Sequence, residues 1–181
     1  MFYIALLRGI NVGGNNKINM GLLKQTFEKV GMSDVQTYIN TGNIIFSNKD
    51  LSKTELSRVL EEAIYDDFKL QIRVVVLSDE DLEQIIKAIP DTWKNDKEMK
   101  SDVMFLWDEI NNESVLESLV IKPDIDTVKY VPGAILWSVD KKNVTKSGMS
   151  RIIGSKLYKQ ITVRNVNTTR KIYELIRAQN S

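Results

Sequence analysis

The order in which short apolar runs alternate with helix-spaced stripes constrains this chain more than any other feature. Phe2–Leu7 is an apolar run with no charge in it, read as a buried strand. After a Gly/Asn-rich loop, Met20, Leu23, Phe27 and Val30 recur at helical spacing, and Gly31 closes that helix. Residues 35–39 and 44–46 read as strands around the turn Thr41-Gly42-Asn43. Ser52-Lys53-Thr54-Glu55 is a capping box, since each side chain can satisfy a free backbone N–H of the other. The helix it opens places Leu56, Leu60, Ile64 and Phe68 on one face, and residues 72–77 follow as a Val-rich strand. The order is βαββαβ.

A connecting helix comes next, capped by Ser78, striped by Leu82, Ile85, Ile86 and Ile89, and ended by Pro90. Residues 91–100 are polar and read as a linker. Then the order repeats. Residues 103–107, 127–131, 135–139 and 161–163 read as strands. Val115, Leu116, Leu119 and Val120 mark one helix, and Met149, Ile152, Ile153 and Leu157 mark another. A last helix carries Ile172, Leu175 and Ile176. The fold class this predicts is α+β, a tandem duplication of ferredoxin-like βαββαβ units with a connecting helix and a C-terminal helix. The predicted boundaries are 1–78 for the first unit, 79–100 for the connection and 101–181 for the second.

Topology then predicts a neighbourhood. A right-handed crossover makes the first two strands of such a unit parallel, and the hairpin lays the third beside the first. The end of strand one therefore meets the start of strand three. Arg8 and its loop should lie near Asn40, Thr41 and Asn43.

Composition removes several chemistries. The chain has no cysteine and no histidine. Disulfides, thiolate nucleophiles, Ser-His-Asp arrangements and the common zinc sites are excluded. Acid–base work would fall to a perturbed Asp, Glu, Lys or Tyr. No cofactor and no metal is expected. The amino end lacks a positive lead and Arg8 cuts its apolar run short, so no signal peptide is read there. No apolar stretch approaches the ~20 residues of a membrane helix. A soluble, cytoplasmic protein is expected.

Charge is small in sum and uneven in place. Residues 141–181 hold ten Lys and Arg against the single acid Glu174, while residues 1–140 hold fifteen against twenty-three acids. Such a tail is either a surface for phosphate and nucleic acid or a segment that docks on the protein's own acids. Helical spacing predicts Lys156, Lys159, Arg170, Lys171 and Arg177 exposed, and Arg151 and Arg164 paired.

Four stretches are candidate sites. In residues 8–17, Arg8, Asn11, Gly13, Gly14 and Lys17 combine flexible backbone, positive charge and the amino end of a helix, a setting that attracts anions. Gly9 and Gly14 have phosphate-loop spacing, but Asn15-Asn16 stands where Lys-Ser/Thr is required. Asn40 and Asn43 would join from the hairpin, although Asn and Gly suit a tight turn in any case. Arg164, Arg170 and Lys171, set among Asn and Thr caps, form a candidate phosphate clamp. Residues 146–151 read as a cap with anion-binding potential. Tyr3 and Phe46 occupy the strands on which RNA-recognition motifs display aromatics, without the rest of that signature.

Ala5-Leu6-Leu7-Arg8-Gly9-Ile10-Asn11-Val12-Gly13-Gly14, then Tyr38-Ile39-Asn40-Thr41-Gly42-Asn43, then Arg164-Asn165-Val166-Asn167-Thr168 together resemble the bacterial domain-of-unknown-function family 1697. Val166 stands where that family often has an aromatic. The resemblance implies a tandem α+β duplication and carries no activity, substrate or catalytic residue. The expected function is a binding module for a phosphate-bearing ligand, either a nucleotide or, weakly, a nucleic acid. The alternatives are a small enzyme on a phosphorylated metabolite and a protein-interaction domain without a small ligand.

Overall fold

The computed structural model describes residues 1–181. It contains two four-stranded antiparallel sheets and four α-helices. The chain divides into two compact units: unit 1 is Met1–Leu82 with Ile172–Ser181, and unit 2 is Glu83–Lys171.

In unit 1, β1 (Phe2–Leu7) is followed by α1 (Met20–Lys29), β2 (Ser33–Tyr38), β3 (Asn43–Ser47), α2 (Lys53–Phe68) and β4 (Val74–Ser78). Sheet order is β2-β3-β1-β4. The predicted neighbourhood forms, because Leu6 pairs with Asn43 across β1 and β3. Local signals act as expected. Ser52 Oγ accepts from Glu55 N at 3.2 Å while Ser52 N donates to the Glu55 carboxylate at 2.8 Å. α3 (Asp79–Ala88) opens the same way, with Ser78 and Asp81 exchanging bonds of 3.1 and 2.9 Å. Gly31, at φ +95°, returns its N–H to Glu28 and ends α1.

Tyr3, Ala5 and Leu7 of β1, Ile44 and Phe46 of β3 and Val76 of β4 pack with Leu23 and Phe27 of α1 and Leu56 and Leu60 of α2. Each of the Leu, Ile, Val and Phe side chains contributes about 1.5–3 kcal/mol by leaving water. Tyr3 stacks on Phe46 at 5.7 Å, and Phe27 meets Phe46 edge-on. Both sheet aromatics are thus core. The RNA-recognition reading of Tyr3 and Phe46 is corrected: they belong to the same cluster as α1 and α2 and present no face to a base.

Unit 2 repeats the strand order. β5 (Met99–Leu106), β6 (Asp126–Val131), β7 (Ala134–Asp140) and β8 (Ile161–Asn165) lie in the order β6-β7-β5-β8. α4 (Val166–Asn180) follows. β5 starts four residues earlier than the apolar pattern suggests, because Met99 and Lys100 pair with Asp140 and Val139.

The two helices predicted inside this half are absent. Glu113–Ser118 is one 3-10 turn, and Lys141–Lys146, Gly148–Arg151 and Lys156–Gln160 are three more. The first stretch ends at Leu119, which is already extended, before an α-helix can lengthen. In the second, Ser155 is extended and Gly148 is held by other partners. The apolar stripe survives because residues i and i+3 also align in a 3-10 turn. Val115, Ile152 and Leu157 pack on Met104, Leu106, Ile135 and Trp137. No helix is long and apolar enough to cross a membrane.

Candidate functional site

Residues 8–19 form a tied loop. Val12 to Asn15 is a tight turn in which Asn15 N donates to Val12 O at 2.9 Å and Asn11 N to Asn16 O at 3.1 Å. Its central residues Gly13 and Gly14 sit at φ +57° and +77°, the geometry of a primed two-residue hairpin. Asn11 is the main tie. Its amide donates to Ile18 O at 3.1 Å and to Asn40 O at 2.7 Å, and its oxygen accepts from Ile18 N at 2.9 Å. Asn16 donates to Gly9 O, and Asn19 caps α1 by accepting from Leu22 N.

Gly42 sits beneath this loop at φ +92°. A Cβ there would come within 2.7 Å of Leu7 Cβ. The hairpin therefore packs against β1 only with glycine at this point. Its neighbour Ile39 is held at φ +48°, a strained setting for a β-branched residue.

The result is an open polar dish of about 400 Å³, lined by Asn11, Gly14, Lys17, Ile18, Asn19 and Asn40. No carboxylate lines it, and the first turn of α1 contains no acid. Lys17 is exposed and makes no ion pair. Val12, Leu22 and Ile39 are large apolar side chains left exposed on the loop, the first turn of α1 and the hairpin.

Of the residues singled out from sequence, Asn11, Gly14, Lys17 and Asn40 meet in the dish. Arg8, Gly13 and Asn43 do not line it. Arg8 is half-buried at the end of β1, where its N–H donates to Arg73 O. Asn43 is fully buried and donates to Tyr38 O and Thr41 Oγ1, so it holds the hairpin from inside. Ile18 and Asn19 were missed, although an Asn directly before the helical stripe is itself a start signal.

Asn11→Asp separates scaffold from ligand group. An ionised Asp cannot donate, so Ile18 O and Asn40 O lose their partner and face a negative charge. A loss of about 2–3 kcal/mol in unit 1 is expected. Urea denaturation followed by far-UV circular dichroism measures it. An unchanged midpoint would show that these bonds do not hold the loop.

The clamp of Arg164, Arg170 and Lys171 does not form. Arg164 is buried on β8 and donates to Thr162 Oγ1 and Val163 O, both at 2.9 Å. Burial pushes its guanidinium down to about 10, still charged at neutral pH. Arg170 is half-buried and its guanidinium is used on Trp93 O and Pro90 O. Two of the three cations thus serve the backbone of unit 2, while Lys171 is exposed on α4. Arg151, expected to be paired, is exposed and outside every ion pair.

The anion cradle read into residues 146–151 exists, but the chain fills it itself. Asp126, at the start of β6, is 7% exposed. One carboxylate oxygen accepts from Ser147 Oγ at 2.5 Å and Trp137 Nε1 at 3.1 Å. The other accepts from Gly148 N at 3.0 Å and Lys122 N at 2.9 Å. Burial pushes this carboxyl up, yet the bonds from Ser147, Gly148, Lys122 and Trp137 outweigh it and hold it below the usual carboxylate value.

Comparison with known proteins agrees with the motifs. The chain is similar to the conserved bacterial protein SP0830 from Streptococcus pneumoniae, with a TM-score of 0.82 and 31% identity over 96% of this chain and 97% of that one. No curated protein matches it. The family model described as a protein of unknown function (DUF1697) matches residues 1–137, which include both the Arg8 loop and the Asn40 hairpin, and the chain belongs to that family.

Proposed function

We propose that unit 1 binds a small phosphate-bearing molecule, a nucleotide or a sugar phosphate, in the dish at the start of α1. The observation that carries this is a concave surface with one unpaired cation, a ring of backbone and amide groups and no carboxylate. Lys17 is the only ionisable side chain lining it. One cation suits one phosphate group and gives no proton-transfer pair, which favours binding over turnover. The ties made by Asn11 and Asn19 fix the dish before any ligand arrives. A cytoplasmic location goes with such a ligand. We also infer a ferredoxin-like class for unit 1, supported by its order β2-β3-β1-β4 with a helix after β1 and after β3.

A thermal-shift panel of nucleotides and sugar phosphates tests the proposal. A true ligand at a hundred times its Kd stabilises unit 1 by about 2.7 kcal/mol. Lys17→Ala should weaken that ligand by about 1.5 kcal/mol, roughly tenfold, because a charged hydrogen bond is lost from an exposed site. A panel with no shift, or a variant that binds equally well, would remove the reading.

A second reading rests on a different observation. Val12, Leu22 and Ile39 are exposed by 58, 51 and 47%. That apolar exposure favours a protein partner at the same end of unit 1. A flat panel, together with weakened partner binding by Val12→Asp, would select it.

A further inference from the structure

Residues 141–160 of unit 2 join β7 to β8 through three 3-10 turns. Of their apolar members, Ile152 and Leu157 are buried in the core and Ile153 is exposed. Their cations are left outside. Lys142, Lys146, Arg151, Lys156 and Lys159 are all exposed, and none forms an ion pair. No Asp or Glu occurs between residues 141 and 160 to offset them. Asp126 docks on Ser147 and Gly148 of this segment, but no acid of the chain forms an ion pair with these five cations.

A cavity of about 520 Å³ adjoins it, and Lys156 belongs to both. Asn112, Ser114, Ser118, Gln160 and Glu109 supply its polar walls, with Ile110 and Leu157 as apolar surface. Amides, hydroxyls and a carboxylate are the groups that read base edges, and Glu accepts from exocyclic amines. The volume lies within the ~300–1,000 Å³ usual for small-ligand pockets.

We propose that unit 2 binds single-stranded nucleic acid, seating one base in this cavity and laying the phosphate backbone along the cations between Lys142 and Lys159. Five unpaired cations over one segment exceed what a single phosphate uses and suit a polymeric anion. A base held inside a duplex stack cannot enter a cavity, so the strand is single. A lipid surface would require an amphipathic helix with its apolar face outward. Here the turns send Ile152 and Leu157 inward and leave Ile153 as a single exposed aliphatic side chain, which makes no continuous apolar face, and the adjoining cavity mixes polar and apolar walls. Tyr158, 38% exposed between Lys156 and Lys159, adds a ring on which a base can stack.

The test is fluorescence anisotropy with labelled single-stranded 15-mers of RNA and DNA in 50 and 200 mM salt. Five phosphate contacts at ~0.7 each predict roughly a 100-fold loss of affinity between those salts. Lys146→Ala, Arg151→Ala and Lys159→Ala combined leave two contacts and should reduce that loss to roughly sevenfold. Ser114→Phe, which fills the cavity, should weaken binding about tenfold with the salt dependence unchanged, by removing the base and leaving the phosphates. Far-UV circular dichroism and melting temperature confirm that each variant is folded. No binding in 50 mM salt overturns the proposal. So does salt-insensitive binding, an unchanged slope in the triple variant, equal affinity for duplex, or equal affinity for vesicles containing phosphatidylglycerol. An unchanged affinity in Ser114→Phe overturns the seating of a base in the cavity.

Discussion

Gly148→Ala is expected to destabilise unit 2 by about 3–5 kcal/mol. A Cβ at position 148 would lie 1.5 Å from the carbonyl oxygen of Val120 and 2.5 Å from its carbon. Both are backbone atoms, so no rotamer change relieves the clash. The turn must move away from Val120, and that movement pulls Gly148 N and Ser147 Oγ off the Asp126 carboxylate. The cost therefore combines overpacking with loss of buried hydrogen bonds. The measurement is direct, because Trp93, Trp107 and Trp137 all lie in unit 2 and unit 1 contains no tryptophan. Urea denaturation followed by tryptophan fluorescence reports unit 2 alone. Gly154→Ala is the control, since nothing lies within 4 Å of a Cβ there. It should stay within about 0.5 kcal/mol. A Gly148→Ala loss below 1 kcal/mol would mean that the contact with Val120 is not maintained in solution.

Asp126→Asn is expected to cost about 3–4 kcal/mol at neutral pH, with the same fluorescence readout. The four donors on Asp126 are divided two to each oxygen. An ionised carboxylate offers acceptors on both sides, whereas an amide offers one oxygen and one NH2. Whichever way Asn turns, two donors face donors. Protonating Asp126 creates a similar conflict, and this gives the pH dependence its sign. The folded-state carboxyl is held below its ordinary value. Its contribution is therefore complete above the unfolded value of about 3.9 and is lost as pH falls through and below it. The gap between Asp126 and the Asn variant should be widest near neutrality and close progressively below pH about 4. A gap of constant size down to pH 2.5 would show that the carboxylate charge is not what the four donors hold.

Much of unit 1 was legible because its signals are local. The capping box at Ser52, the cap at Ser78, the stop at Gly31 and the glycine turns each depend on residues within a few positions of one another. The placement of Asn40 beside Asn11 was legible too, since chain order and crossover handedness bring the two strands together. The helices of unit 2 were misread because an i, i+3, i+4 stripe does not distinguish an α-helix from linked 3-10 turns. What interrupts the second stripe is Ser155, extended between Ile152 and Leu157, while Gly148 just before the stripe is held by a carboxylate twenty-two residues earlier.

The sequence by itself determined the order of the strands in both units, the helices of unit 1, both antiparallel sheets, the family and the exclusion of histidine and cysteine chemistry. It also singled out candidate stretches for an anion, because a run of Gly, Ser and Asn near a helix start is a local signal. Only the tertiary structure decided which of those capacities remain open. At Ser147 and Gly148 the anion is Asp126, delivered by the pairing of β6 with β7 and invisible in the spacing. Arg164 and Arg170 are spent on Thr162 and on backbone carbonyls for the same reason: a buried guanidinium must satisfy its donors with whatever the fold places beside it. Lys17 and the cations from Lys142 to Lys159 stay unpaired because the fold brings no carboxylate into an ion pair with them. Charge is written in the sequence, and its neutralisation is decided by what packs within a few ångströms.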